Sequence, residues 1–373
     1  MPDRLHAVPP DPWPTNVARA EAIVGGADPL NGVMAQHGPI HPESFDWLRD
    51  LGHLATDDAR KAACYFVRHW IEHHGRDHTE AQQVDVLAER LVNWIGQYPF
   101  LNDGAEHGFR TTFADGLMRQ VAELERSAKR APQGLKRLAA AKALLYAGVC
   151  LPRAEKRVAR GLALLEPELG RLVLPDGGSC DRNPSSQLAI LKHLVDIRGV
   201  LIAGHVDVPE YLQNAIDRTA PLLRFFRHGD GRLALFNGGI EETAALIDLV
   251  LAEAKAEGKA PANAPHAGFQ RLNAGDTTVI VDCGRPPPPV VAPDAHAGTL
   301  SFELSSGGAR LVVNCGTASE TAGLWRQLMR TTAAHSTLAV KDTNSSELLQ
   351  EGGVGRRPDD VACRRNSAQG ATW

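Results

Sequence analysis

Three histidines are the first chemical candidates in this sequence. His228 lies in the polar turn Arg227-His-Gly-Asp-Gly231, directly after an apolar helical pattern, while His296 and His335 each precede a short β-rich run. Imidazole exchanges protons near neutral pH and binds metals in its neutral form, so these positions predict acid–base or metal chemistry. A turn-stabilising role is the alternative for His228, and a mainly structural role is expected for His335.

Polar side chains that could bind an anion cluster just before and at the start of a predicted helix. Arg182 offers a planar fork that matches a carboxylate, and Asn183 lies beside it in the sequence. Gln187 can donate a hydrogen bond to a carboxylate, but an amide cannot act as a general base. A buried ion pair of Arg182 with Asp176 or Asp181 is the structural alternative.

Two further residues are candidates for substrate binding, namely Arg227, next to His228, and Asn237 in Leu235-Phe-Asn-Gly-Gly239. Asn237 could equally be a turn residue, because the glycines after it supply left-handed conformations. No Gly-x-Ser-x-Gly pattern and no nucleotide-binding glycine pattern occurs, so neither a serine hydrolase nor a nucleotide site is supported.

A run of histidines has the spacing of a shared helix face, since His69, His73, His74 and His78 include i and i+4 pairs. No acidic residue is placed among them as in His-Glu-x-x-His. The sequence therefore favours an exposed helix end over a metal site.

The composition excludes several classes of protein. With 373 residues, 43% of them apolar, the chain can form one or two globular domains. The 40 basic and 44 acidic residues are interspersed, which predicts no binding to nucleic acid. The six cysteines form no CxxC pair, so we expect mostly reduced, buried thiols. No signal-peptide pattern and no run of about 18 apolar residues occurs, so no membrane insertion is expected. Nothing in the sequence defines an oligomeric state.

Apolar residues recur at helical spacing through the first two thirds of the chain, which predicts roughly nine or ten antiparallel helices with short links. The patterns cover residues 45–54, 59–74, 81–95, 113–130, 135–149, 154–166, 187–203, 209–226 and 241–257.

Short β-rich runs then follow at residues 269–272, 277–282, 299–304, 310–314 and 337–340. The boundary is predicted near residue 262, with a helical domain over 1–262 and an antiparallel β-sandwich over 263–373. These runs are few for a complete sandwich, so we expect an incomplete one.

Two blocks of sequence resemble the heparinase II/III-like family of polysaccharide lyases. The first block is Leu174-Pro-Asp-Gly-Gly-Ser-Cys-Asp-Arg-Asn-Pro184, followed later by Phe225-Phe-Arg-His-Gly-Asp-Gly-Arg-Leu-Ala-Leu-Phe-Asn237. The second block comprises Asp294-Ala-His-Ala-Gly-Thr-Leu-Ser-Phe-Glu-Leu304, Val312-Val-Asn-Cys-Gly-Thr317 and Arg330-Thr-Thr-Ala-Ala-His-Ser-Thr-Leu338. The resemblance covers roughly residues 42–346.

This resemblance implies an α+β multidomain fold, in which an N-terminal incomplete (α/α) toroid precedes an antiparallel β-sandwich. It also implies β-elimination of uronate-containing polysaccharides in a cleft between the two domains. That reaction needs a base, an acid for the leaving oxygen, and a group that neutralises the uronate carboxylate. In the family, Tyr and His serve as acid and base, an Asn or His lies near the carboxylate, and His and Asp hold a structural zinc.

The match to the family's site residues is incomplete. Gln187 occupies the apparent position of the toroid His or Asn, and no tyrosine follows at the spacing of the catalytic one, where Phe269 lies nearby. The resemblance leaves His228, Gln187 and His296 as catalytic candidates. Arg182, Asn183, Arg227 and Asn237 are the candidates for substrate binding.

The family's metal pattern is also incomplete, because His-x-His-x-Asp reads Asp294-Ala-His296-Ala-Gly298. Asn314 occupies the place of a zinc-binding Asp, and His335 is retained. At most a weakly bound zinc is expected from His296, His335 and Asn314, with His296 pointing toward the cleft.

The leading functional hypothesis is therefore a lyase that cleaves an acidic polysaccharide or oligosaccharide by β-elimination. The alternative is a non-catalytic glycan-binding or cell-envelope protein on the same scaffold. A third possibility is a hydrolase that pairs Asp181 with Glu241 or Glu242. The resemblance suggests the bacterial periplasm or cell envelope, whereas the missing export signal leaves the cytoplasm open.

Overall fold

The computed structural model describes residues 4–31, 41–74, 83–152, 154–317, 323–368 and 371–372. Helices dominate the chain as far as residue 254, and an antiparallel sheet follows, which confirms the predicted order of helices and then strands. The helices are α1 Val17–Val24, α2 Leu48–Leu54, α3 Asp57–His73, α4 Val84–Gly96, α5 Tyr98–Asn102, α6 His107–Ser127, α7 Leu135–Cys150, α8 Ala154–Leu172, α9 Pro184–Ala203, α10 Glu210–Phe225, α11 Ala244–Ala254 and α12 Leu324–Met329. None of the helices in these ranges combines the length and apolar character that a membrane crossing requires.

Two compact units make up the structure, and they interleave along the sequence. One unit contains residues 1–168 and 196–209, and the other contains residues 169–195 and 210–373. The boundary near residue 262 stays a prediction.

The first unit is held by aromatic packing around α3 and α4. Phe45 lies 5.7 Å from Trp70 and 5.4 Å from Trp94 between ring centroids, in edge-to-face geometry. All three rings are buried. Edge-to-face contacts of this kind stabilise a core by about 1 kcal/mol each beyond simple area burial.

The second unit is built on a five-stranded antiparallel sheet with the strands in sequence order. The strands are β1 Asn263–Ala264, β2 Phe269–Ala274, β3 Thr277–Asp282, β4 Phe302–Ser306 and β5 Ala309–Val312, and a separate hairpin joins β6 Ser367–Ala368 to β7 Ala371–Thr372.

The sheet has one buried face. Burial alternates along β3, where Thr278, Ile280 and Asp282 are buried. Ile280 pairs with Glu303 of β4, so the two side chains lie on the same face. Two carboxylates, Asp282 and Glu303, are thereby placed in the interior of this unit.

The strand predicted over residues 337–340 is not formed. Val340 makes only an isolated bridge to Thr343, and Leu338 and Val340 are 80% and 61% exposed. The alternation of apolar residues there does not correspond to a buried face, which is why the pattern misled.

Candidate functional site

Arg182 is a buried residue whose hydrogen-bond donors contact the protein itself. Its Nε donates to the carbonyl of Ala267 at 2.7 Å, its Nη1 donates to the carbonyl of Arg285 at 2.9 Å, and its Nη2 pairs with the carboxylate of Asp282. The guanidinium also lies over the ring of Phe269, 4.7 Å from its centroid. The ion-pair partner is therefore Asp282, and this arrangement favours a structural role for Arg182 over uronate binding.

Asp282 closes this cluster from the end of β3. Burial raises the pKa of its carboxyl, while the ion pair with Arg182 and a 3.0 Å hydrogen bond from the backbone N–H of Gly284 favour the charged form. A Cβ atom at Gly284 would lie 2.5 Å from Nη2 of Arg182. Glycine is therefore the residue that lets the backbone approach the guanidinium so closely.

Gln187 and Asn183 both organise the start of α9. The side-chain oxygen of Gln187 accepts from the N–H of Ser179 at 2.7 Å, and its amide nitrogen donates to the carbonyls of Gly177 and Thr219 at 2.8 and 3.0 Å. Asn183 accepts from the backbone N–H of Ser185 at 2.8 Å, as a helix-capping residue does. Gln187 is fully buried, so its amide holds loops together and does not meet solvent.

His228 lies in a hydrogen-bonded chain with no side-chain exposure. Its Nδ1 is 2.9 Å from the hydroxyl of Ser305, and its Nε2 is 2.9 Å from the carboxylate of Glu303. Ser, His and Glu are residue types used together in nucleophilic catalysis. Here all three are buried, which makes the chain a polar part of the core, out of reach of a polymer.

Glu303 is the centre of that polar cluster. Its Oε1 accepts from the backbone N–H groups of Leu235 and Asn314, both at 3.0 Å, and from the side-chain amide of Asn314 at 3.2 Å. The side-chain oxygen of Asn314 accepts from the N–H and hydroxyl of Ser336, both at 3.2 Å. Asn314 is therefore engaged with Glu303 and Ser336.

His296 and His335 contact each other directly. Nδ1 of His335 donates to the carbonyl of Thr331 at 2.7 Å, which leaves its Nε2 as the acceptor for Nδ1–H of His296 at 3.0 Å. Nε2 of His296 then accepts from the hydroxyl of Thr317 at 3.4 Å. This assignment of ring protons follows from the hydrogen-bond network, and it requires both rings to be neutral.

Burial keeps this histidine pair neutral. It lowers the pKa of His296 to about 3, with smaller contributions from His335 and Arg330, and it also lowers the pKa of His335. His296 is only 2% exposed, whereas His335 is partly exposed. The sequence predicted that His296 points toward the cleft and that His335 is mainly structural. In the structure, His335 is the more accessible ring of the two.

The residues of this pair do not fit a resident zinc. Within the described ranges no group of three or more His, Cys, Asp and Glu side chains could hold a metal ion. At Gly298, where the family pattern has an aspartate, a Cβ would lie 2.8 Å from Cδ2 of His335. The side chain of Asn314 contacts Glu303 and Ser336, so it is not placed as a third ligand beside the two imidazoles.

Asn237 and Arg227 occupy different surroundings. Asn237 has a left-handed backbone, φ 49°, and its amide donates to the carbonyl of Arg182 at 3.1 Å. Its side-chain oxygen accepts from the backbone N–H of His296 at 3.5 Å, so Asn237 joins the arginine cluster to the histidine pair. Arg227 forms a partly exposed ion pair with Asp248 at 2.8 Å.

The hydrolase hypothesis pairs Asp181 with Glu241 or Glu242, but each of these carboxyl groups either has another hydrogen-bonding partner or is buried. Glu241 pairs with Arg232 at 2.6 Å, and Asp181 accepts from the backbone N–H of Asn183 at 3.2 Å. Burial raises the pKa of Glu242, whose backbone is left-handed at φ 53°.

The histidine run on α3 is exposed at its end. The rings of His69 and His73 stack with centroids 4.2 Å apart, and His78 lies outside the described residues.

The contacts of Asn237 with Arg182 and His296, and of His296 with His335, bring these residues into one neighbourhood. The sequence analysis missed the two buried carboxylates. Asp282 and Glu303 are 100 and 75 residues from their partners Arg182 and His228. Their signal was available in part, since each occupies an inward position of an alternating strand.

Comparison with known proteins places this fold in a recognised class. The crystal structure of heparinase III matches with a TM-score of 0.69 at 15% identity, over 87% of this chain and 59% of that one. The heparan sulfate lyase HepC from Pedobacter heparinus matches with a TM-score of 0.61 at 17% identity, over 90% and 62%. The fold is therefore that of heparinase III, a helical part followed by an antiparallel sheet.

Sequence comparison identifies the family. Residues 256–373 match the family model described as heparinase II/III-like, C-terminal, which assigns this part of the chain to the heparinase II/III-like family. FtsZ-localized protein C from Caulobacter vibrioides (strain NA1000 / CB15N) is 30% identical over 363 residues, which cover 93% of this chain and 62% of that protein. The chain thus spans about three fifths of the length of the relatives it matches.

Proposed function

We propose that this chain is a non-catalytic binding protein on a lyase scaffold. We also propose that it localises with FtsZ, as the name of the relative FtsZ-localized protein C states for that protein. The observation that carries the proposal is the state of the residues expected to perform elimination. Arg182, Gln187 and His228 are each buried and hydrogen-bonded within the protein.

β-Elimination requires groups that reach the substrate. The base must approach the proton beside the uronate carboxylate to hydrogen-bond distance, and a cation or amide must approach the carboxylate itself. The donors of Arg182 face Asp282 and backbone carbonyls, and the imidazole of His228 lies between Glu303 and Ser305. Freeing either side chain would leave a buried carboxylate without its partner, which costs several kcal/mol.

Localisation tests the proposal directly. A fluorescent fusion of the full chain, expressed in the cell of origin beside labelled FtsZ, is expected to follow the FtsZ pattern. Sedimentation of purified FtsZ polymers with the full chain then separates direct binding from recruitment through a third protein. A fusion spread through the periplasm or cytoplasm, unrelated to FtsZ, would rule the proposal out and would also show the compartment.

A lyase acting on acidic glycans is the second candidate, and one observation favours it besides the fold. His335 is a partly exposed imidazole whose Nδ1–H is held by the carbonyl of Thr331, so its Nε2 is the nitrogen that would accept a substrate proton once it is released from the hydrogen bond with His296.

The assay for the second candidate uses heparin-like, chondroitin-like, alginate and bacterial exopolysaccharide polymers, with an active family member as positive control. A new unsaturated-uronate absorbance that is lost in His335→Ala would establish the lyase. Saturable binding of a polymer with a flat absorbance trace would instead identify an acidic glycan as a ligand of a non-catalytic protein.

A further inference from the structure

Three rings that are exposed or partly exposed form a stack along one face of α3. Tyr65, His69 and His73 follow each other at intervals of four residues, so their side chains lie one above the other on the helix. The ring centroids of Tyr65 and His69 are 6.1 Å apart at an interplanar angle of 17°, and those of His69 and His73 are 4.2 Å apart at 28°. The stack therefore brings two imidazoles together at the surface of the helical unit.

The orientation of His73 is set by a hydrogen bond to the backbone of α3. Its Nδ1 lies 2.8 Å from the carbonyl oxygen of His69, which can only accept a hydrogen bond, so Nδ1 carries the ring proton. The lone pair of the neutral ring is then on Nε2, on the other side of the imidazole from that carbonyl. A backbone carbonyl that holds one ring N–H in this way is the usual support of a histidine that binds a metal through its second nitrogen.

The separation of the two imidazoles matches that of two rings bound to one metal ion. A first-row ion such as zinc binds an imidazole nitrogen at about 2.0 Å, and two imidazoles in neighbouring coordination positions then have ring centres about 4–5 Å apart. The observed 4.2 Å between His69 and His73 falls within this range. The ring of His74 is 6.4 Å from that of His69 at an angle of 64°, which is too far for a neighbouring position on the same ion.

The electrostatic surroundings of the pair favour a cation. Helix α3 ends at His73, and the carbonyl groups of its last turn give this end a partial negative charge. The neighbouring cation Arg68 is turned toward other partners, because its guanidinium lies 5.6 Å from the ring centroid of Phe109 and 3.7 Å from the carboxylate of Glu106. A positive ion between the two imidazoles is therefore placed at the favourable end of the helix dipole.

We propose that His69 and His73 bind one divalent copper ion, with water in the remaining coordination positions. Within the described part of the chain no group of three or more His, Cys, Asp and Glu side chains could hold a metal, so the two imidazoles are the protein ligands of this site. Imidazole suits copper, and a given set of nitrogen ligands binds copper(II) more tightly than nickel(II) or zinc(II). Zinc should therefore bind here more weakly than copper and leave during dialysis.

Titration of the full chain with Cu²⁺ alone tests the proposal. The parent protein carries Cys315→Ser and Cys363→Ser, because these exposed thiols would react with copper. Calorimetry should give one ion per chain, and the electron spin echo modulation of the bound ion should show two imidazole ligands. His69→Ala and His73→Ala should each weaken binding by at least about tenfold, since even the loss of an outer-shell partner of a metal ligand costs that much.

His107→Ala is the matched control, because His107 is an exposed histidine of the same unit with Thr111, and not a histidine, four residues later. It should bind copper as the parent does. Circular dichroism should show the same helix content in all variants, because Ala is a better helix former than His. Unchanged binding in His69→Ala or His73→Ala, an equal loss in His107→Ala, or modulation from a single imidazole in the parent would each overturn the proposal.

Discussion

The sheet-containing unit encloses polar groups in two different ways. Around Asp282 and Glu303, carboxylates are buried together with Arg182 and with several converging N–H groups. At the pair of His296 and His335, two neutral rings satisfy each other and no charge is present. A buried charge persists only where many donors surround it, whereas a neutral pair needs one acceptor and one donor at each end. The two regions should therefore differ in how strongly mutation and acidification destabilise the protein.

The largest expected effect is at Arg182. Arg182→Ala removes the partner of the buried Asp282 and should lower the free energy of unfolding by about 3–5 kcal/mol. Urea unfolding monitored by circular dichroism measures the change. Arg227→Ala is the matched control, because its pair with Asp248 is partly exposed, and it should cost about 1 kcal/mol or less. Equal losses in the two variants would show that Arg182 is not a core ion-pair residue.

His228 should rank second. His228→Ala leaves a cavity and removes one donor to Glu303, with an expected loss of about 2–4 kcal/mol. His228→Gln keeps an N–H near the position of Nε2, so it should recover part of that loss. If His228→Ala unfolds like wild type, the imidazole is not an integral part of the buried cluster.

The neutral pair should be sensitive to acid. The folded protein lowers the pKa of His296 from about 6.5 to about 3, so the folded state binds fewer protons than the unfolded state between these values. The contribution of the neutral His296 ring to the free energy of unfolding is complete above pH 6.5 and is lost as the pH falls toward 3. Between pH 7 and pH 5 this loss should be about 2 kcal/mol.

Unfolding at the two pH values in wild type and in His296→Asn measures this loss. Asn places an N–H near the position of Nδ1 and does not titrate, so the variant should be less stable at pH 7 but lose less on acidification. The same acid loss in both proteins would assign the effect to other groups.

Whether a helix buries one of its faces explains how well it could be predicted from the sequence. Helix α3 was located within two residues at its start, because Thr56 caps it through the N–H of Ala59 and its apolar spacing is regular. Helix α12 was missed, since Leu324 and Trp325 are 74% and 68% exposed and the helix buries none of its residues. Local periodicity reports burial, so an element without a buried face gives no signal.

The candidate site was predicted less well than the fold for a related reason. The rings of His296 and His335 are in contact although the strand predicted after His335 is not formed, and such a contact was expected only from the order of the predicted strands. The partners of Arg182 and His228 were not, because Asp282 and Glu303 look like ordinary strand residues and their contacts span a distance in sequence that no spacing rule covers. Residue type indicated possible chemistry, and burial then decided whether that chemistry was accessible.

The smallest expected effect is in metal content. We expect purified protein, dialysed against zinc and then buffer, to retain well under one zinc per chain by elemental analysis. His296 and His335 supply two imidazoles without an anionic ligand, and Asn314 is bound to Glu303. His335→Ala should therefore leave the zinc content unchanged.

Asn314→Asp should destabilise the fold, because it would place a second carboxylate beside Glu303. One tightly held zinc per chain, lost in His335→Ala, would contradict the predicted zinc content. It would show that His296 and His335 hydrogen-bond to each other only when no metal is bound.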